Sequence, residues 1–259
     1  EAAEKHDSDM VIWSESVTYH GNLAGAGPLP YTMQMLDDLD TILVAGTYEF
    51  VDKRQYNNVV AVDPHEGVIG NYRKMQLVPF GEMFPFRKEI ENISPALGKW
   101  IRREVYEFDV AAGEKLEIFE SRHGRFAALV CFESVIPYLS RDAVLDGAEF
   151  LLFVTNDEKI KKTPGVHQHA ALGAYRAIET DRYVAQAANS GVSYVAGPRG
   201  RMMTYSPVFE KMIVTGSLAP RSGITPYTRF GDWFCYLCFA AIALWLLRIL
   251  VFSKSRKSS

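Results

Sequence analysis

Apolar residues in this chain come in short blocks rich in β-branched and aromatic side chains, with Gly, Pro, Asn and Asp between them. "DMVIW" (9–13), "TILVAGTYEF" (41–50), "NNVVAVD" (57–63) and "GVIGNYRK" (67–74) read as strands, and "DPHEG" as a hairpin turn between the last two. Further strands are predicted at 115–119, 125–131, 149–155, 182–189, 192–197 and 211–218. The period changes to that of a helix in "YTMQMLDDLD" (31–40), "SVIPYLSRDAVLDG" (134–147) and "HQHAALGAYRAIETD" (167–181). Residues 86–112 are charged and irregular and are expected to form a long loop. Ten strands against so few helices predict a large α+β domain built on sheets. No internal repeat or low-complexity stretch interrupts it.

One block differs in kind. "WFCYLCFAAIALWLLRILVF" (233–252) has a single charge, Arg248, and the length of a bilayer-crossing helix. Trp233 and Tyr236 suit the headgroup layer at one end, and "KSRK" (254–257) marks the other as cytoplasmic. Arg248 can snorkel to that end. The body of the chain is then expected outside the cytoplasm. It begins with Glu1 and shows no leader, so it is expected to be part of something longer.

The formal net charge is −3. Residues 227–259 carry five basic side chains against Asp232, so the body is acidic. That balance, with no basic stripe interleaved with aromatics, argues against a nucleic-acid partner. Of three cysteines, Cys235 and Cys238 fall inside the apolar block, where packing is the reading of their C-x-x-C. Cys131 is then alone in the body, with no disulfide partner in a compartment that oxidises thiols.

Candidate chemistry sits at strand ends, which face clefts. Glu15 follows "VIW", Lys74 follows "NYR" and Cys131 follows "ALV". A thiol needs help to ionise; a carboxylate can take its proton, and an ammonium can steady the thiolate and an oxyanion. The alternative, a packed cysteine and two unrelated charges, stays open on residue types alone. No G-x-S-x-G competes. His167 and His169 lack the i, i+4 spacing and third ligand of a metal site, so neither metal nor cofactor is expected. Asn156 and Asp157 are expected to shape a turn or cap, and Tyr175 and Arg176 to serve packing and a salt bridge. The sequon at Asn92 carries no weight.

"VIWSES", "YRKMQLVPFGE" and "LVCFES", separated by 59 and 57 residues at their key positions, resemble the three motifs of the nitrilase superfamily. "VPFGEMFPF", "VTND", "HQHAALGAYRAIETDRYVAQAANSGVS" and "TPYTRFGDWF" are similar to its apolipoprotein N-acyltransferase family, and the resemblance covers most of 9–252. It implies a nitrilase-like four-layer α-β-β-α sandwich followed by one C-terminal transmembrane helix. The corresponding parts are a catalytic domain at 1–226, a juxtamembrane linker at 227–232, the membrane helix at 233–252 and a basic cytoplasmic tail at 253–259. By resemblance Glu15 is the general base, Lys74 the oxyanion stabiliser and Cys131 the nucleophile. Glu82 and Glu133 match further active-site carboxylates, and Phe132 stands where tyrosine is frequent.

The implied reaction moves an acyl group from a phospholipid donor through a Cys131 thioester. The acceptor is the amino group of a diacylglyceryl-modified apolipoprotein, at the periplasmic side of a bacterial inner membrane. The same trio would serve a membrane-tethered amidase with water as acceptor; an idle fragment acting by binding is the third reading. Two departures stand out. The chain has "EKIKKTPG" (158–165) where the family has an aromatic pair, so Lys159, Lys161 and Lys162 either meet anionic headgroups, at about 1 kcal/mol each, or form a solvated loop. The family's amino-terminal membrane bundle and first sheet strand are also missing, which predicts an unpaired sheet edge and a chain that is unstable or inactive alone.

Overall fold

The computed structural model describes residues 7–18, 36–52, 54–104 and 110–257. The first sheet contains β1 (Met10–Thr18), β2 (Ile42–Val51), β3 (Arg54–Asp63) and β4 (Gly67–Arg73) in that order, with β5 (Val110–Ala111) added in parallel to the start of β3. β1 runs parallel to β2; β2, β3 and β4 are antiparallel neighbours. The second sheet has the order β11-β10-β9-β8-β7-β6 and contains β6 (Phe119–Ser121), β7 (Gly124–Val130), β8 (Phe150–Asn156), β9 (Tyr183–Asn189), β10 (Tyr194–Ala196) and β11 (Met202–Tyr205). Its centre, β7-β8-β9, is parallel.

Alternation along the strands shows how the layers form. On β2 and β3, Ile42, Val44, Val59 and Ala61 join the large core between the sheets. Their neighbours Leu43, Ala45, Val60 and Val62 point the other way and pack with Leu36 of a helical turn at 36–39. A period of two therefore covers both faces. In β7 and β8, Phe126–Val130 and Phe150–Val154 are buried throughout, as expected of parallel strands covered on both sides. Helices α3 (Pro137–Leu145) and α4 (Pro164–Thr180) cover the outer face of this sheet. The order helix, sheet, sheet, helix is a nitrilase-like α+β sandwich, with β1 at one end of its sheet order.

Several expectations are corrected. Residues 86–112 are not an irregular loop, because they hold α1 (Arg87–Ile93) and α2 (Pro95–Glu104), with an i, i+4 ion pair Arg87–Glu91 of 3.4 Å and Ile101 buried. Dense charge concealed a helical spacing. No strand forms at 211–218. Instead the turn at Gly197–Gly200, closed by Gly200 N–H to Gly197 O (2.8 Å) with Gly200 at φ +72°, folds β11 back on β10. Residues 211–218 then run without a ladder partner, and Met212 and Ile213 are exposed. The strand predicted at 115–119 begins only at Phe119. The helix predicted at 31–40 lies outside the described residues up to position 35.

The linker at 227–232 is ordered. It contains α5 (Pro226–Phe230), capped by Thr225 Oγ1 accepting from Thr228 N (2.9 Å) and tied to the end of α4 by Thr228 Oγ1 donating to Glu179 O (3.2 Å). Beyond it, α6 (Trp233–Lys257) is one continuous helix with exposed apolar side chains, and its cysteines are exposed thiols. Among the described residues no helix is long and apolar enough to cross a membrane. The side chains described on α6 stop at Ile249, short of the end of the expected span.

Candidate active site

Glu15 reaches the site through an irregularity in β1. Trp13 pairs with Ala45 and Thr18 with Thr47, so extra residues bulge between them, with Ser16 at φ +62°. Bulges re-aim side chains, and this one turns Glu15 inward, to 7% exposure. The bulge rests on β2 at Gly46, where a Cβ would lie 2.6 Å from Glu15 Cα, so only glycine fits. Lys74 follows β4 immediately and is held by its N–H to Asn57 O (2.8 Å). Its side chain is 1% exposed.

Four polar side chains share this pocket. Lys74 Nζ lies 2.8 Å from Glu82 Oε2 and 3.9 Å from Glu15 Oε1. Asn57 Nδ2 donates to Glu15 Oε1 (2.6 Å) and to Glu82 Oε1 (3.1 Å), joining two carboxylates that would otherwise repel. The Cys131 thiol lies close enough to Glu15 and Lys74 to feel both charges. The structure thus brings Glu15, Lys74, Glu82 and Cys131 together. Asn57 was not foreseen. Its signal was present: "NN" interrupts an otherwise apolar buried strand, and a buried amide needs a partner.

Cys131 opens a 3-10 turn (Cys131–Val135) at the end of β7, with φ +49° in the left-handed region that non-glycine residues seldom adopt. Strain of this kind persists only where the surroundings enforce it. From one side the enforcement is Glu133, fully buried. Its Oε2 accepts from Val130 N (2.9 Å), and its Oε1 accepts from Tyr72 Oη (2.7 Å), Met75 N (2.8 Å) and Gln76 N (3.0 Å). One carboxylate therefore ties the cysteine turn to the segment that follows Lys74. Phe132, by contrast, is 38% exposed.

From the other side comes a pair expected to be incidental. Asp157, fully buried, holds His169 Nδ1 at 2.7 Å, and His169 Nε2 lies 3.0 Å from Ser134 Oγ and 3.2 Å from Cys131 O. Asp157 is thus an ion-pair partner as well as part of the turn, its carbonyl accepting from Ile160 N (2.9 Å), and Asn156 Oδ1 shapes the same turn by accepting from Glu158 N (3.0 Å). Ligand atoms of Cys131, Asp157 and His169 lie within 4.8 Å of one another, a set able to hold a metal. Here Asp157 Oδ1 and both ring nitrogens are engaged with protein atoms. Arg176 makes its salt bridge with Glu179 (3.0 Å), but Tyr175 is exposed rather than packed.

Electrostatics divide the labour. Burial raises the Glu15 carboxyl above its ordinary range, against the pull of Lys74 and the Asn57 bond. Burial, and then the Glu15 charge, raise the Cys131 thiol, with Lys74 opposing. Lys74 is desolvated, yet Glu15 and Glu82 keep it above its usual value and charged. The resting state is a neutral thiol beside a carboxyl of raised basicity and a fixed ammonium, an arrangement suited to base-assisted attack on a carbonyl.

The family model for carbon-nitrogen hydrolases matches residues 1–224, and the chain belongs to that family. Among solved structures, a carbon-nitrogen hydrolase from Helicobacter pylori G27 shares the fold, with a TM-score of 0.61, 16% identity and coverage of 82% of this chain and 78% of that one. Among curated proteins the chain is similar to apolipoprotein N-acyltransferases. That of Geobacter metallireducens is 28% identical over 250 residues, covering 92% of this chain and 45% of the relative. That of Synechocystis sp. is 33% identical over 195 residues, covering 74% and 36%. The chain spans less than half the length of these relatives.

Proposed function

We propose that this chain is the catalytic part of an N-acyltransferase that moves a fatty acyl group from a phospholipid to the amino group of a lipoprotein's diacylglyceryl-cysteine. The observation that carries this reading is the convergence of Glu15, Lys74 and Cys131, in a chain whose curated relatives are apolipoprotein N-acyltransferases. Glu15 takes the thiol proton as Sγ attacks the ester carbonyl, and the Lys74 ammonium stabilises the oxyanion. The ester C–O bond breaks, the lysophospholipid oxygen takes the proton from Glu15, and Cys131 keeps the acyl group as a thioester. The amine then attacks the same carbon, its proton passing through Glu15 to the departing sulfur. Water must be excluded or the thioester hydrolyses.

On this reading 1–226 is the catalytic domain, α6 anchors it in a bacterial inner membrane over 233–252, and residues 253–259 face the cytoplasm. The domain then lies on the periplasmic side. Exposed Phe132 beside the nucleophile, and exposed Lys159, Lys161 and Lys162 just after β8, suit an approach by lipid. The test is incubation of the full chain in vesicles with acyl-labelled phospholipid and a diacylglyceryl peptide. Mass spectrometry is expected to find an acyl mass on Cys131, absent in Cys131→Ser, and then label on the peptide amine. Label appearing only as free fatty acid would assign hydrolysis instead. No acyl mass on the protein would overturn both readings.

A further inference from the structure

The end of the second sheet away from Cys131 carries a cleft of about 470 Å³ that the proposed reaction does not use. Its walls are the start of β9 with Asp181 before it, the turn at Gly197–Gly200 running into β11, and Arg221 of the segment that leads to α5. Tyr183 is in register with Phe150, and Phe150 with Phe126, which stands five residues before Cys131. At about 3.3 Å per residue the cleft lies roughly 16 Å along the strands from the sulfur. Arg199, Arg201 and Arg221 line it. Arg221 is fixed, its Nη2 and Nε donating to Asp181 Oδ2 (2.7 and 3.2 Å) and its N–H to Glu149 O (3.1 Å). Arg199 and Arg201 are exposed and have no carboxylate partner among the described residues. The turn that carries them is closed by Gly197 N–H to Arg201 O (3.0 Å) and Gly200 N–H to Gly197 O (2.8 Å).

A fourth guanidinium lies beneath. Arg182 is 2% exposed, and among the described residues its donors go to carbonyl oxygens, those of Ala148 (2.8 Å), Thr180 (3.2 Å), Asp181 (3.2 Å) and Gly223 (2.7 Å). Asp181 is the one carboxylate lining the cleft, and the neighbouring Glu149 is engaged by Arg125 N–H (2.8 Å). This concentration of positive charge runs against the chain's formal net charge of −3. The floor is open because residue 197 is glycine: a Cβ there would touch both Met203 Sδ (3.7 Å) and Tyr183 Cε1 (3.9 Å). Guanidinium groups present paired N–H donors that match phosphate oxygens, and they stay charged at any physiological pH. We propose that Arg199, Arg201 and Arg221 form a binding site for a phosphate group, free or borne by a lipid headgroup, at the end of the domain opposite the nucleophile. A lipid source suits the position. Arg182 holds Gly223 O, and Gly223 leads through the Thr225 cap into α5 and then into α6, the proposed anchor.

The test is modification of arginines by phenylglyoxal in the full chain, held in uncharged detergent micelles and read residue by residue by peptide mass spectrometry. Exposed Arg54, on the β2–β3 hairpin, is the internal reference. Inorganic phosphate is expected to slow modification at Arg199 and Arg201, by about threefold at twice the half-saturating concentration, as mass action requires. Sodium chloride at the same ionic strength screens charge without matching the donors, and is expected to leave the rates apart. In the lipid arm, phosphatidylglycerol is mixed into the micelles with inorganic phosphate absent. Protection by inorganic phosphate alone assigns a free phosphate and protection by the phospholipid assigns a headgroup; either supports the site. No protection in either arm, equal slowing at Arg54, or equal slowing by chloride would overturn it. Two variants sharpen the result. Arg201→Gln is expected to abolish the protection of Arg199. Asp181→Asn suits the left-handed backbone there (φ +54°) while removing the lining carboxylate, and is expected to tighten phosphate binding several-fold. Phosphate affinity unchanged in both would refute the proposal. No readout involves Cys131, so a failure of acyl transfer and a failure of this site are told apart.

Discussion

The two sides of Cys131 are built differently. In front stand Glu15, Lys74, Glu82 and Asn57, all from the first sheet or the segment after it, linked by short contacts that balance charge around the sulfur. Behind stand Glu133, Asp157 and His169, attached to the second sheet and its helix, bonding to backbone atoms of the cysteine turn and of the Lys74 segment. On the proposed reading the front group sets protonation, and the back group is tied to the backbone around the cysteine. The difference lies in reach: the front contacts are between side chains, whereas the back group also takes hold of peptide groups at Val130, Cys131, Met75 and Gln76.

The comparison breaks most visibly on the front. Cys131→Ser is expected to abolish thioester formation, and Glu15→Gln or Lys74→Met to lower its rate on the order of 10²–10⁴-fold, the range for a lost acid-base or oxyanion group. Single-turnover acylation measures this. Melting temperatures must stay near wild type for the contrast to hold.

Glu133→Gln attacks the back. A glutamine offers one acceptor oxygen where four donors converge, so its amide would face N–H groups. A loss of about 3 kcal/mol or more in urea unfolding is expected. Burial raises Glu133, as it does Glu15, so the folded state holds these protons to higher pH than the unfolded chain. The sign follows for these two groups: their contribution to stability is full below the ordinary carboxylate range and is lost as pH rises through the raised folded values. A melting series in that window checks it, and stability that rose there instead would contradict the assignment.

Asn57→Leu is a finer cut. It removes the donor shared by Glu15 and Glu82, and the Asn57 bond lowers Glu15. Its loss should move the acid limb of the acylation pH profile upward, with less effect on the plateau. The smallest effect is expected at Glu120→Ala. The exposed Glu120–Arg125 pair (3.5 Å) sits on the β6–β7 hairpin outside either group, and its removal should cost no more than about 0.5 kcal/mol in the same urea titration.

Local pattern carried much of this molecule. Alternation in "TILVAG" and "NNVVAVD" specified strands covered on both faces, and continuous apolar runs marked β7 and β8 as buried strands. Three short motifs indicated Glu15, Lys74 and Cys131 because chemistry at strand ends leaves polar residues beside apolar ones. Periodicity reports how each side chain divides between core and water, and that is a local property.

What escaped it was pairing at a distance. Asp157 and His169 lie twelve residues apart on separate elements, and neither is unusual until α4 docks its first turns beside the cysteine turn. The bulge that turns Glu15 inward exists only in register against Gly46 of β2. Residues 202–205, not 211–218, became the edge strand because a glycine turn presented them to β10 first. Composition determines which residues will be buried. Which buried charges meet, and so which of them can act on one sulfur, is fixed only when two sheets and a helix close around it, because a buried polar group is stabilised by partners that other parts of the chain supply.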